Sequence, residues 1–424
     1  MNSFPLHQVL AISLGFPALA QQVWKVHCTG AYGAHFTDLP AAVAAASPGD
    51  EIWVYDAYPQ YPCTPFTAPI ITKPLRILGF SVGSVTGVNP VGAALRGVLV
   101  IAGTPAGSQV ALSNLAIGST FPAPVGIVAV DCAGDILLED VGVAGSNIMT
   151  GSYMHFERCR NVVFRGCGMS IGACAINAID SNLLFSFSNI ASVYADPSYW
   201  LQVVYGTPPP QSFPALRLLR SEATLVSSNL SGSHEYHPTV MPGRPAVTLD
   251  DSTLRIGPNS NLFGGWTSAW PNVQVGYQKL TPSVVEQDFR SSITALAWIP
   301  MADRPTPRDR ISVDHNWATA GLPMSVWVAG PPNGFALLAL ADWSPFPQPT
   351  PFGPLVLDPS SIQILDLLPC ALPDGWANRS YNVPITAPLA HAYALQALTL
   401  SPAGEFGLSI PSPFTVAWPN GGIP

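Results

Sequence analysis

Leu138-Glu-Asp-Val-Gly-Val143, Phe164-Arg-Gly-Cys-Gly-Met169 and Phe185-Ser-Phe-Ser-Asn-Ile190 are copies of one phrase, and Leu112-Ser-Asn-Leu-Ala-Ile117 precedes them in the same form. Looser copies follow at Val226-Ser-Ser-Asn-Leu230 and Ile256-Gly-Pro-Asn-Ser-Asn-Leu262. The starts at 112, 138, 164 and 185 step by about 21 to 26 residues, within the range of solenoid repeats. A shorter apolar run with a polar end precedes each later copy: Val128-Ala-Val-Asp131, Met154-His-Phe-Glu157, Ala178-Ile-Asp180, Leu218-Leu-Arg220 and Thr248-Leu-Asp250. Alternation with period two predicts strands. Strands of four to six residues bury little alone, so the reading is a stack of parallel coils in which each coil covers its neighbour. The open ends of such a stack need covers. Thr37-Asp-Leu-Pro-Ala-Ala-Val-Ala-Ala-Ala46, with a capping Thr or Asp, an early Pro and an Ala-rich body, predicts one short helix across the first end.

The entry into these coils runs from Leu39-Pro-Ala-Ala-Val43 through Pro48-Gly-Asp-Glu-Ile-Trp-Val54 and Tyr58 to Ile71-Thr-Lys-Pro-Leu-Arg-Ile-Leu-Gly79. It resembles the entry of the right-handed parallel β-helix (pectate-lyase-like) superfamily, over roughly residues 37–290. The resemblance implies the fold and carries no catalytic residue, because that superfamily includes lyases, hydrolases, epimerases and non-catalytic surface proteins.

Composition agrees with an all-β chain. Of 424 residues, 48% are hydrophobic and 10% charged, which supplies a large core and argues against disorder. The 45 prolines and 36 glycines suit many corners and turns. A net charge of −8 with three lysines and no basic run lacks the footprint of a nucleic-acid binder. Val9-Leu-Ala-Ile-Ser-Leu-Gly-Phe-Pro-Ala-Leu-Ala20 reads as a secretory leader over residues 1–20, although no Lys or Arg precedes it. The expectation is an exported protein, extracellular or periplasmic and bacterial, without a membrane span, since no later apolar run approaches about 20 residues. Cys28 and Cys63 flank the N-terminal cover and suit a bridge, and Cys132 and Cys159 fall at turns of adjacent coils, within disulfide reach. Cys167 and Cys174 read equally well as small buried hydrophobes.

The coil region is assigned to residues 21–300 and a polar, Pro-containing linker to 301–310. Residues 311–424 change texture. Seven short strands with turn signals, at 324–328, 336–340, 355–357, 362–365, 381–385, 394–400 and 414–418, predict an antiparallel β-sandwich similar to small C-terminal domains of secreted bacterial proteins.

Three insertions, after Ile190, Leu230 and Leu262, follow the same strand of the repeat and carry Tyr199 and Trp200, then Tyr236, then Trp266, Trp270 and Tyr277. Aromatics on loops of a rigid solenoid suit stacking against sugar rings; the plainer alternative is packing of loop on loop. Asp131, Glu157, Asp180 and Asp250 end successive first strands, so their carboxylates fall in a row along one edge that could hold Ca²⁺, as in the polysaccharide lyases of the superfamily the chain resembles. Against it, Asp at strand ends commonly bonds its own backbone, and Arg220 breaks the row. Arg158, Arg160 and Arg165, with His155 and Glu157, are the best basic cluster for taking a proton α to a uronate carboxylate and stabilising the charge that forms; surface ion pairing is the alternative. His234-Glu-Tyr-His237 precedes Pro238 and lacks a helix to set metal geometry, Ser81 in Gly79-Phe-Ser-Val-Gly83 lacks the helix of a nucleophile elbow, and Asn229 and Asn378 lie in glycosylation frames. Aromatics, acids and arginines fall at different phases of the repeat. The expected function is therefore a non-catalytic surface or matrix protein that binds a polysaccharide or cell-surface glycan without a cofactor; the alternative is a polysaccharide lyase or hydrolase acting on an acidic polysaccharide.

Overall fold

The computed structural model describes residues 22–56, 65–81, 93–119, 126–145, 153–171, 175–192, 214–232, 244–265, 275–294, 299, 301–307, 311–315, 318–371, 375–385 and 392–416. Among the described residues the protein is all-β apart from the helix Leu39–Ala45 and one 3₁₀ turn at Met301–Asp303. Two long sheets, of 18 and 8 strands, are parallel throughout, and antiparallel sheets follow from residue 312. No described helix is long and apolar enough to cross a membrane.

Each circuit of the chain adds one strand to the eight-stranded sheet and one or two segments to the larger one, in register with the circuit before. Like positions therefore stack on like. Ile52, Ile77, Leu112, Leu138, Phe164, Phe185, Leu225 and Ile256 form one inward column. Leu99, Ile127, Met154, Ile176, Leu216, Val247 and Tyr277 form another on the opposite sheet. Phe164 and Phe185 stack with centroids 4.6 Å apart, and Phe156 meets Phe164 edge-on at 5.4 Å.

The copies at Leu112 and Leu138 each lie within one strand, Gln109–Ser119 and Asp135–Gly145, bent at one left-handed residue, whereas from Phe164 on the phrase is two strands, such as Asn161–Arg165 and Gly168–Ile171, joined by such a residue. Asn114, Asp140, Phe187 and Ser227 have φ of 54°, 54°, 50° and 46°, and Gly166 takes the same position at 59°. A single positive φ turns the chain and resets which side chains face inward, so Leu138, Val141 and Val143 are all buried although the first two are an odd step of three positions apart. Asn and Asp tolerate this conformation better than most residues, which is why the phrase so often has them there.

Two polar columns run inside the turns. Ser181, Ser221, Ser252 and Ser283 each accept from the backbone N–H one circuit earlier, and the first three return a bond to a carbonyl two residues back. Ser188, Ser228 and Ser260 do the same at the other turn. Cys132 and Cys159 sit at the start of the first column and Cys167 at the start of the second, as buried free thiols directed at carbonyls. The expected Cys132–Cys159 bridge is thus absent; the two thiols replace hydroxyls in a ladder. Cys28 is disulfide-bonded, while Cys63 and Cys174 lie outside the described residues.

Helix Leu39–Ala45 covers the first end, capped by Asp38, whose carboxylate accepts from Leu39 N, and buries Leu39, Ala42 and Val43. At the other end Thr306–Pro307 pairs with Glu286–Gln287, so part of the expected linker 301–310 extends the parallel stack. Among the described residues a strand overlaps each of the seven expected ones, although the one expected at 381–385 runs instead over Trp376–Asn382 and residues 417–418 lie outside the described residues; Ser312–His315 and Phe406–Leu408 are two strands that the sequence reading omits. Its core gathers Val326, Val328, Leu338, Leu368, Leu395 and Phe414.

Phe164→Ala is expected to cost about 3–5 kcal/mol in reversible denaturant unfolding, because the aromatic column above and below leaves nothing to fill the space. Ser188→Ala leaves the buried Cys167 N–H without its acceptor and should cost about 1–3 kcal/mol in the same measurement.

Candidate functional site

The positions expected to carry chemistry separate into three places. The first is an outer corner of the stack. Register aligns Asp131, Arg158, Asp180, Arg220 and Asp251, all left-handed with φ between 48° and 56°, while Glu157 and Asp250 belong to the preceding column. The expected row of Asp131, Glu157, Asp180 and Asp250 is therefore two columns, and the first alternates acid with base. Arg158 grips Asp131 with Nε and Nη2, at 2.5 and 3.1 Å, and its third nitrogen pairs with Glu157. Arg220 holds Asp180 in the same way at 2.7 and 2.8 Å. These guanidinium bonds hold the Asp131 and Asp180 carboxyls below their ordinary range; Glu157 is lowered by His155 first and by Arg158 as well. Carboxylates so engaged leave a cation few lone pairs, and no group of three metal-type ligands occurs among the described residues. The corner encloses an open groove of about 540 Å³, lined further by Arg160, Asn182 and Glu222.

The second place is the outer face of the eight-stranded sheet. His155 Nε2 lies 3.3 Å from Glu157 Oε2, and Asn177 Nδ2 lies 3.0 Å from His155 Nδ1. His155 thus sits one column from the corner, held from both sides.

Arg165 belongs to neither. It projects from the outer face of the larger sheet and is 2% exposed, because the antiparallel region lies over it. Its Nε donates to Glu139 at 3.1 Å, its Nη2 to the His315 carbonyl at 3.0 Å, and Asp314 stands 3.9 Å away. Ser186 donates to Asp314 Oδ1 at 3.0 Å. Beside this ionic knot Ala111, Leu137 and Val163 of the parallel sheet pack on Ala339, Ala341, Trp343, Val356 and Ala394. The basic cluster read from sequence is thereby dispersed: Arg158 is on an exposed corner, His155 on an outer sheet face, and Arg165 inside an interface.

Of the aromatics, Tyr277 is a core residue. It is 2% exposed in an inward column, and its hydroxyl donates to the Asp303 carbonyl at 2.6 Å. Tyr199, Trp200, Tyr236, Trp266 and Trp270 lie outside the described residues, as does the leader at 1–20. The roots of their insertions are described. Ala191, Ser231 and Phe263 stack where the chain leaves the larger sheet, and Leu216, Val247 and Tyr277 stack where it re-enters the smaller one.

The sequence reading missed the interface knot because Asp314 and His315 lie about 150 residues from Arg165. A weak signal existed: Glu139 and Arg165 hold the same position of successive copies, and a charge pair in a repeated apolar phrase marks a face that something covers. No protein-family model matches this chain, and no curated protein is detectably similar to it.

Burial sets the titration of the knot. It pushes the Asp314 carboxyl up to about 7, against the pull of Arg165 and of the Ser227 and Ser186 hydroxyls. Asp140, at the adjoining turn, is raised to about 8 by burial and by the charge of Glu139, and His315 is driven well below 6.5 by burial and Arg165. A carboxyl raised on folding contributes stability that is full below its unfolded value near 3.8 and is lost as pH rises through its folded value. His315 works oppositely but only below 6.5, so between 6.5 and about 8.5 the carboxyls act alone. Seating of the antiparallel region should weaken across that window, Asp314 alone accounting for a loss on the order of 1 kcal/mol. Between pH 6.5 and about 8.5 the stability of the wild type should fall relative to that of Asp314→Asn followed over the same range. Arg165→Ala strands buried carboxylates and should cost about 3–5 kcal/mol in denaturant unfolding.

Proposed function

We propose that this chain is an exported right-handed parallel β-helix with a C-terminal β-sandwich, and that it binds a polysaccharide or cell-surface glycan, without catalysis, through aromatic side chains on the three insertions. The observation that carries the reading is the stacking of the insertion roots. Neighbouring parallel strands lie about 4.8 Å apart, so three loops leaving at Ala191, Ser231 and Phe263 issue from one corner within about 10 Å. Tyr199, Trp200, Tyr236, Trp266 and Trp270 therefore belong to adjacent loops on a support that is hydrogen-bonded at every level. If the loops hold their rings outward from these adjacent roots, a sugar stacking on them costs little freedom, and each ring contributes on the order of 1 kcal/mol or more. The apolar stretch at residues 9–20 and the disulfide at Cys28 support export, since such bonds persist in oxidising compartments.

The alternative, a lyase or hydrolase on an acidic polysaccharide, draws less support. It needs a base and cations facing one cleft, and Arg165 is inside an interface while Arg158 is already held by two carboxylates.

Trp266→Ala is expected to weaken retention on an insoluble or gel-embedded glycan while leaving the unfolding midpoint unchanged. A lowered midpoint with retention intact would identify the ring as a packing residue and end the glycan reading. In a parallel screen of acidic polysaccharides with and without Ca²⁺, no absorbance of new double bonds is expected; its appearance would favour the lyase.

A further inference from the structure

The antiparallel sheet that covers Arg165 has two faces of different fate. Ala336, Leu338, Leu395 and Ala397 point into the C-terminal core. Ala339, Ala341, Trp343 and Ala394, on the opposite face, form the seam with the parallel stack. Past the seam several side chains of that second face stand exposed among the described residues. Pairing places Phe335 beside Leu400 and Leu400 beside Phe406, with Leu337 between Leu367 and Leu398 in the next row and Ile364 beside Ala339. Phe335 is 48% exposed, Ile364 58%, Leu367 59% and Phe406 52%; Phe352, 45% exposed, brings its ring to 5.5 Å from that of Phe406.

We propose that this face is the surface through which two copies of the chain pair. It is continuous with a seam that already buries the same sheet face against apolar side chains, so its chemistry suits a second apolar surface. Half of an aromatic or aliphatic side chain of this size amounts to on the order of 100 Å². Five of them offer about 500 Å² per copy, and two copies together bury about 1,000 Å², below the roughly 1,200–2,000 Å² of stable interfaces and in the range of weak, reversible pairing. Charge does not oppose a second copy here. The chain carries −8, so most apposed surfaces of two copies repel, whereas this face is uncharged and its rim pair, Arg379 with Asp366 at 3.0 Å, is neutral. Glu405 stands at the solvent edge, where salt screens it. Pairing would also bring two aromatic corners onto one assembly, so that a polymeric glycan engages both.

Sedimentation velocity of the full chain over a dilution series tests this. Reversible dimerisation is expected. Leu367→Glu should raise the dimer dissociation constant at least about 100-fold, as expected when a charge is buried without a partner. Ile70→Glu, at a position 65% exposed on the parallel stack, should leave it unchanged. Unfolding midpoints equal to wild type exclude misfolding, and Phe335→Ser provides a second disruption at the same face. A wild type that stays monomeric up to about 100 μM, a Leu367→Glu variant that pairs like wild type, or loss of pairing in Ile70→Glu would each overturn the proposal. So would apolar vesicle binding by a monomer that Leu367→Glu abolishes. Retention on glycan by a monomeric Leu367→Glu variant bears only on the proposed function, so the two ideas fail separately.

Discussion

Everything in the long parallel part of this protein follows from in-register stacking, in which each side chain has as its neighbour the side chain at the same position one circuit away. Such a rule makes columns. An apolar position yields a buried ladder such as Leu112, Leu138, Phe164 and Phe185. A hydroxyl position yields a chain of side-chain acceptors for backbone N–H groups that the turn would otherwise leave buried and unpaired, and a thiol can open such a chain because it is small and points at the same carbonyl. A charged position obeys the same rule less comfortably. Like charges stacked about 4.8 Å apart repel, and the outer corner avoids this by alternating Asp131, Arg158, Asp180 and Arg220.

That alternation bears on function as well as stability. A row of carboxylates would hold a cation, and a row of arginines an anionic polymer, but an alternating column satisfies itself and presents only exposed, already bonded groups. Surface pairs of this kind contribute little to stability. Their consequence here is that the carboxylates and guanidinium groups of the corner are engaged with one another, while the insertions are rooted at the opposite end of the same strands.

The seam over Arg165 obeys a different logic. A guanidinium, a glutamate and an aspartate are withdrawn from water together, at a cost that only good geometry offsets, and such a knot specifies orientation more than it adds stability. Smooth apolar packing of Ala111, Leu137 and Val163 on Trp343 and Val356 would tolerate sliding. Arg165 has to meet the His315 carbonyl and Glu139 at once, which allows one placement of the antiparallel sheets on the stack.

The parallel stack, its helical cover and most antiparallel strands are legible in the residues because their signals are local: a repeated apolar phrase, an Asp38 cap before an Ala-rich run, turn residues between short strands. The turning residue is written as Asn114 and Asp140 in two copies and as Gly166 in a third, but Phe187 and Ser227 hold it in others with no local signal. The candidate sites are a different matter. Arg158 and Arg165 are seven residues apart and read as one cluster, yet an odd separation broken by a left-handed turn sends one to an exposed corner and the other under a sheet that begins some 150 residues later. Tyr277 reads as a loop aromatic because nothing local distinguishes it from Trp266 or Trp270, and only its pairing with Val247 shows that it points inward. Strand formation depends on neighbours along the chain, whereas burial, pairing and charge state depend on what the rest of the chain brings across, and those were decided by tertiary contact alone.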